Sequence, residues 1–254
     1  MRRAIGFFAL ACLLVAAACK AAPGTLLETV DFGEGVFNPE SEFNFHDPAS
    51  AAGNLLAVLR DTRDMARCLR AIRMYQRRYE VMGEAVPRLR ELLLNLKESK
   101  EPRAAVQRAF LMGLLMEEAG REVRALYIRD LAPLIKNLRS SMQTDAWAHL
   151  VVAILFGSIP ELQGNWFDEA LYAQCYGYDE VQAQLAVGSL FLAMDLSYGG
   201  NERLQWFAYL ALKRALALAP DHEALKTRVR ELLSANLQFI GYRPSKWLQQ
   251  LEKE

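Results

Sequence analysis

The chain has 254 residues, with 30 Lys+Arg against 30 Asp+Glu, 52% apolar residues, 4 Cys and 3 His. That length supports a packed core, the composition excludes wholesale disorder, and so few cysteines exclude a disulfide-dense scaffold. With no basic excess to neutralise phosphates, the charge does not point to nucleic acid as a partner.

The first residues are set apart from the rest. Arg2 and Arg3 precede an apolar stretch from Ala4 to Ala18, and its 15 residues are short of a membrane span, which needs about 20. Size and flanks are those of a secretory signal peptide. The stretch ends Leu14-Val15-Ala16-Ala17-Ala18-Cys19, which resembles the lipobox of bacterial lipoproteins, with Ala16 where leucine is usual. The resemblance implies cleavage before Cys19 and lipid on that cysteine. It would anchor the protein to a membrane of the bacterial envelope, facing the periplasm or exterior. Cleavage after an Ala-x-Ala site without lipid is the alternative. Losing residues 1–18 removes two arginines and leaves a net charge of −2, so no polybasic patch supports membrane binding.

Residues 19–48 read as a tether followed by an irregular docking segment. Lys20 to Gly24 is small and polar. Phe32, Gly33, Gly35, Phe37, Pro39, Phe43 and Phe45 then lack any helical period, and the phenylalanines are expected to dock on the helical body. A short strand is expected over Leu26–Val30.

Residues 49–254 read as one helical domain. Leu55, Leu56, Leu59, Met65, Cys68, Leu69, Ile72 and Tyr75 recur at three- and four-residue spacing. The arginines between Arg60 and Arg90, with Asp61, Asp64 and Glu80 among them, read as a solvated face. Gly83 and Pro87 mark the change to a helix carrying Leu89, Leu92, Leu93 and Leu96. Further helices are expected over Ala104–Glu118 and Val123–Leu138, with Pro133 kinking or splitting the second. Asp145 is placed to cap the next, which runs to Phe156. Trp166–Tyr176, Val181–Leu196, Glu202–Ala219, Glu223–Phe239 and a short helix from Pro244 to Leu251 complete the series. The class is all-α, and short turns between helices predict stacked antiparallel pairs.

Ala208, Leu212, Ala215 and Pro220 have the spacing of the second helix of a tetratricopeptide repeat. Gly188 and Phe191 take the small and aromatic positions of the first. Residues 181–221 thus resemble a degenerate tetratricopeptide-like unit, and the resemblance implies an α-solenoid. The intervening turn is too long for the standard unit, and Lys226 and Arg230 stand where small or apolar residues belong. An unrelated helical bundle is the alternative. Tyr198-Gly199-Gly200 and Lys213-Arg214-Ala215-Leu216-Ala217-Leu218 also resemble the T-component lipoproteins that accompany bacterial TRAP transporters. That resemblance implies an accessory role in solute uptake.

Chemistry-bearing motifs are sparse. His46, His149 and His222 lack metal-ligand spacing, and no cysteine pair completes a zinc site. His149, beside Trp147 and Leu150, reads as a core or boundary residue; His222 reads as exposed at a helix start. Cys68 and Cys175, 107 positions apart, fall on apolar faces and could pair or remain buried thiols. No phosphate loop or nucleophile elbow is present, so neither cofactor nor catalytic residue is assigned. Trp166, Phe167, Tyr172, Tyr176 and Tyr178 crowd one short interval and form the candidate binding surface. The sequence thus points to a non-catalytic envelope lipoprotein whose stacked helices present an extended concave surface to another envelope protein. The alternative is an envelope hydrolase that uses Asp168 or Asp179 on glycan. Such chemistry needs two carboxylates about 5–9.5 Å apart in one cleft.

Overall fold

The apolar spacing read from the sequence becomes twelve α-helices among the described residues. The computed structural model describes residues 25–37, 43, 45, 48–97, 99, 101–117, 119, 121–239 and 242–253; the leader and Cys19 lie outside them. The first six helices are α1 (Leu26–Thr29), α2 (Pro48–Arg60), α3 (Met65–Glu80), α4 (Ala85–Lys97), α5 (Ala104–Glu117) and α6 (Arg121–Ser141). They are followed by α7 (Ala146–Ser158), a 3-10 turn (Pro160–Leu162), α8 (Trp166–Tyr176), α9 (Val181–Ser197), α10 (Glu202–Leu218), α11 (Glu223–Leu237) and α12 (Lys246–Leu251).

Short polar side chains set the helix starts by accepting orphan backbone N–H groups. Asp64 accepts from Arg67 at 2.9 Å, which separates α3 from α2 where the apolar pattern runs on. Asp145 accepts from Trp147 and Ala148 at 3.0 and 2.9 Å, as its position implied. Pro133 neither splits nor ends α6; it lies on an exposed face, where water can satisfy the carbonyl that a proline leaves unbonded.

The fold is all-α and built of stacked helix pairs. Each helix from α2 to α10 packs on its successor, α12 packs on α10, and α3, α5, α7, α9 and α11 also touch one another in that order. These alternate helices make one row, with α4, α6, α8 and α10 behind it. The tightest pair is α9 with α10. Ala208 and Ala215 are fully buried, and a Cβ on Gly188 would lie 2.6 Å from two side-chain carbons of Leu212. Small residues at the spacing seen in the sequence let these helices approach.

Residues 25–37 cover the front of the row. Helix α1 packs on α5, α7 and α9; Leu27, Val30 and Phe32 are wholly buried. Leu27 lies where a Gly113 Cβ would come within 3.1 Å, and Leu26 where a Gly157 Cβ would collide. Phe32 meets the Phe110 ring edge-on at 5.6 Å and the Trp147 ring at 6.4 Å. The expected strand over Leu26–Val30 is instead a single helical turn. Among the described residues no strand offers a ladder there, and the backbone takes partners from side chains.

Those partners correct the reading of the arginines as a solvated face. Arg70 and Arg73 are 1% and 2% exposed. Arg70 Nη1 donates to the Phe32 carbonyl at 2.6 Å. Arg73 Nη1 donates to the carbonyls of Val30, Glu28 and Leu27 at 2.6, 3.2 and 3.3 Å, and its Nε donates to Glu34 at 2.6 Å. Burial lowers the Arg73 pKa, and the Glu34 carboxylate opposes that shift. Asp31, also buried, accepts from the Gly33 N–H at 2.7 Å and from Arg228 on α11, while its own N–H donates to Ser189 on α9 at 2.8 Å. The segment is thereby stitched to α3, α9 and α11.

Removing a buried cation from its acceptors leaves several carbonyls unpaired. Arg73→Met is therefore expected to cost about 3 kcal/mol and to open residues 25–37 to protease, with Arg73→Lys intermediate. Urea denaturation of the three proteins checks this, and coincident midpoints would contradict it. Ala215→Leu should overpack the α9–α10 contact and cost about 1–3 kcal/mol on the same assay.

Candidate functional site

Helix α6, α7, the 3-10 turn and α8 enclose an open cleft of about 730 Å³. Helix α6 supplies Ile135, Lys136, Arg139 and Ser140, residues spaced along one side; α7 supplies His149 and Phe156; α8 supplies Glu169, Tyr172 and Tyr176. On α8 those three fall at i, i+3 and i+7, a single helical stripe.

The floor is a closed chain of charge. Arg139 Nε pairs ionically with one Glu169 oxygen at 2.7 Å, and His149 Nδ1 lies 2.6 Å from the other. His149 Nε2 lies 2.9 Å from the Gln143 carbonyl. Both neighbours of the ring are acceptors, so only the doubly protonated imidazolium bonds to each of them. Burial works against that charge. The Glu169 bond, the Gln143 carbonyl and the Glu169 charge together outweigh it, so His149 sits above its ordinary value. Two tyrosine rings cover the imidazole, Tyr172 at 5.2 Å and Tyr176 nearly parallel at 5.5 Å, a cation–π arrangement.

This geometry commits the histidine and the carboxylate to each other. Neither His149 nitrogen is free to move a proton or take a metal, and both Glu169 oxygens are engaged. Among the described residues no group of three His, Cys, Asp or Glu could hold a metal ion.

The five aromatics of the candidate surface separate into three places. Tyr172 and Tyr176, 48% and 44% exposed, stand in the cleft. Trp166 and Phe167 turn the other way into a half-buried cluster with Phe191 and Phe207, where Arg203 covers the Phe167 ring at 4.6 Å. Tyr178 lies beyond the helix end under Arg214, whose guanidinium is 4.0 Å from its ring. One turn of α8 is about 3.6 residues, so neighbours in the sequence point to different sides.

Other residues singled out in the sequence lie apart from the cleft floor. Asp168 is exposed and accepts from Asn165 at 2.6 Å; Asp179 is 86% exposed at its side chain and pairs with Arg214. Cys68 and Cys175 are free, the first buried, the second exposed rather than on a buried face. Burial pushes the Cys68 thiol up to about 12. His149 is buried, as a core histidine would be, while half-buried His222 caps α11 by accepting the Leu225 N–H at 3.2 Å. His46 lies outside the described residues.

Because the folded ring holds its proton above the ordinary pKa of about 6.5, its stabilisation is complete below that pH. It is lost as pH rises through the higher folded value. The melting temperature should therefore fall more steeply above about pH 6.5 in the wild type than in His149→Gln. Parallel thermal curves for the two proteins would place the pH sensitivity elsewhere. Comparison with protein-family models, with curated proteins and with solved structures returns no significant match.

Proposed function

We propose that the protein is a non-catalytic lipoprotein of the bacterial envelope, anchored through Cys19, whose helical stack holds another envelope protein. The observation that carries this reading is the cleft between α6, α7 and α8. It is large enough to bury a ligand-sized group, yet its histidine and carboxylate are committed to one another. A site built that way can fix the position of a bound group while its histidine and carboxylate stay engaged with each other. The front of the helix row, where a solenoid ordinarily receives partners, is filled by residues 25–37 of the chain itself. The cleft on the other side then becomes the place for a partner.

The leader and the Ala18-Cys19 junction support the anchor. No helix among the described residues is long and apolar enough to cross a membrane, so a lipid would be the means of attachment available to that part of the chain. An accessory role beside a solute-uptake system, of the T-component kind, is the specific version of this reading that the turn and helix at Tyr198–Leu218 favour.

Labelled palmitate should enter the wild type and Cys12→Ala but not Cys19→Ala. Crosslinking in native membranes should yield a discrete partner that is lost in Tyr176→Ala, a substitution on an exposed ring. Label retained in Cys19→Ala would remove the anchor from this reading. Glycan cleavage by the purified protein, abolished in Asp168→Asn, would replace it with the hydrolase.

A further inference from the structure

The cleft just described is lined by three basic side chains, Lys136, Arg139 and His149, against one carboxylate, Glu169. That carboxylate is already spent on Arg139 and His149 at 2.7 and 2.6 Å, and it is 2% exposed. Glu161, next to the lining residue Leu162, is held by Arg124 at 2.9 and 3.1 Å, which answers its charge. Lys136 is exposed and makes no ion pair among the described residues, and the Arg139 side chain stays 55% exposed beside Glu169. The mouth therefore carries positive charge that no other carboxylate lining the cleft neutralises. The protein as a whole has no basic excess to explain it.

Apolar surface lies beside that charge. Tyr172 and Tyr176 stack at 6.3 Å with an interplanar angle of 23°. Together with Phe156, Leu162 and Ile135 they make a wall on which a flat or branched side chain can lie. Charge and wall sit a few residues apart on facing helices, α6 and α8, and a peptide can offer a carboxylate and an apolar group at that separation.

We propose that the cleft receives an acidic segment of a partner protein, with a Glu or Asp carboxylate at Lys136 and Arg139 and an adjoining aromatic or aliphatic side chain against Tyr172 and Tyr176. The inference rests on the binding role proposed above and specifies its partner. The Arg139 side chain, 55% exposed, can offer guanidinium donors to a carboxylate, and Lys136 adds a mobile second cation. His149, when protonated, adds positive charge from beneath and makes no contact of its own, because both of its nitrogens are taken. Glu169 holds Arg139 by one edge and so limits the rotamers available to it before a partner arrives.

The test uses a fluorescein-labelled eight-residue peptide alternating Glu with Phe, compared with the same peptide carrying Gln for Glu and with one carrying Ser for Phe. Fluorescence polarisation should show the acidic aromatic peptide binding at least tenfold more tightly than either control. Lys136→Glu, on an exposed side chain, should weaken it at least tenfold, and Tyr176→Ala should weaken both Phe-containing peptides. Raising salt should weaken the Glu-containing peptides and leave the Gln peptide unchanged. If the Gln peptide binds as tightly and Tyr176→Ala still abolishes binding, the acidic specificity is overturned while the cleft keeps its binding role. If no peptide binds and Tyr176→Ala keeps every membrane crosslink, both are overturned. Displacement of the acidic peptide by phosphatidylglycerol vesicles, or a dimer dissolved by Lys136→Glu, would give the cleft to lipid headgroups or to a second copy and overturn the peptide assignment.

Discussion

Among the described residues the carbonyls of Leu27, Glu28, Val30 and Phe32 accept no backbone hydrogen bond, and two guanidinium groups bond them instead. A buried segment with one helical turn must still bond its polar atoms, and a buried arginine must still find acceptors. Arg73 spreads over three carbonyls and Glu34, and Arg70 takes the Phe32 carbonyl. Each side removes the desolvation penalty of the other. Phe32, with the Arg73 guanidinium 4.7 Å from its ring centre, then fills the space between α5 and α7. The segment is thus part of the core, and the row of alternate helices cannot offer that face to anything else while it stays in place.

This constraint decides where a partner can go. A stack of helix pairs has a front and a back, and here the front is closed from within by Leu27, Val30 and Phe32. On the other side α6 stands away from α8, joined to it through α7 and the 3-10 turn. Arg124 on α6 grips Glu161 of that turn, which holds one end of the cleft while the α6 surface beyond it remains open. The cleft therefore follows from the way an outer helix is seated.

Much of this was legible in the sequence, and the exceptions share a cause. Helix positions, the Asp145 cap and the close α9–α10 contact at Ala208, Ala215 and Gly188 all follow from local spacing. The fate of Arg70 and Arg73 does not. Their three-residue spacing beside Asp61 and Asp64 looks like a solvated stripe, and only a segment some 40 positions earlier makes it an interior one. The cleft was half legible. Glu169, Tyr172 and Tyr176 form one stripe on α8, whereas reading Trp166 to Tyr178 as a single aromatic group ignored the turn of the helix. The pairing of that stripe with His149 depends on how α7 and α8 cross, which spacing alone does not encode.

The His149–Glu169–Arg139 chain links folding to recognition. Had Glu169 been apolar, His149 would have lost its acceptor and its charge, and Arg139 would have been free to turn into water. Had His149 been apolar, one Glu169 oxygen would have been left buried and unpaired, a costly state that draws Arg139 inward and away from the mouth. With all three present, a single carboxylate satisfies two cations, so the cluster has a net positive charge at neutral pH whenever His149 is protonated. Tyr172 and Tyr176 cover that charge on one side and keep an apolar wall next to it. The same contacts that fasten α6 and α7 to α8 therefore also set the sign of the field in the cleft, so a substitution that changes that field also changes how these helices are held together.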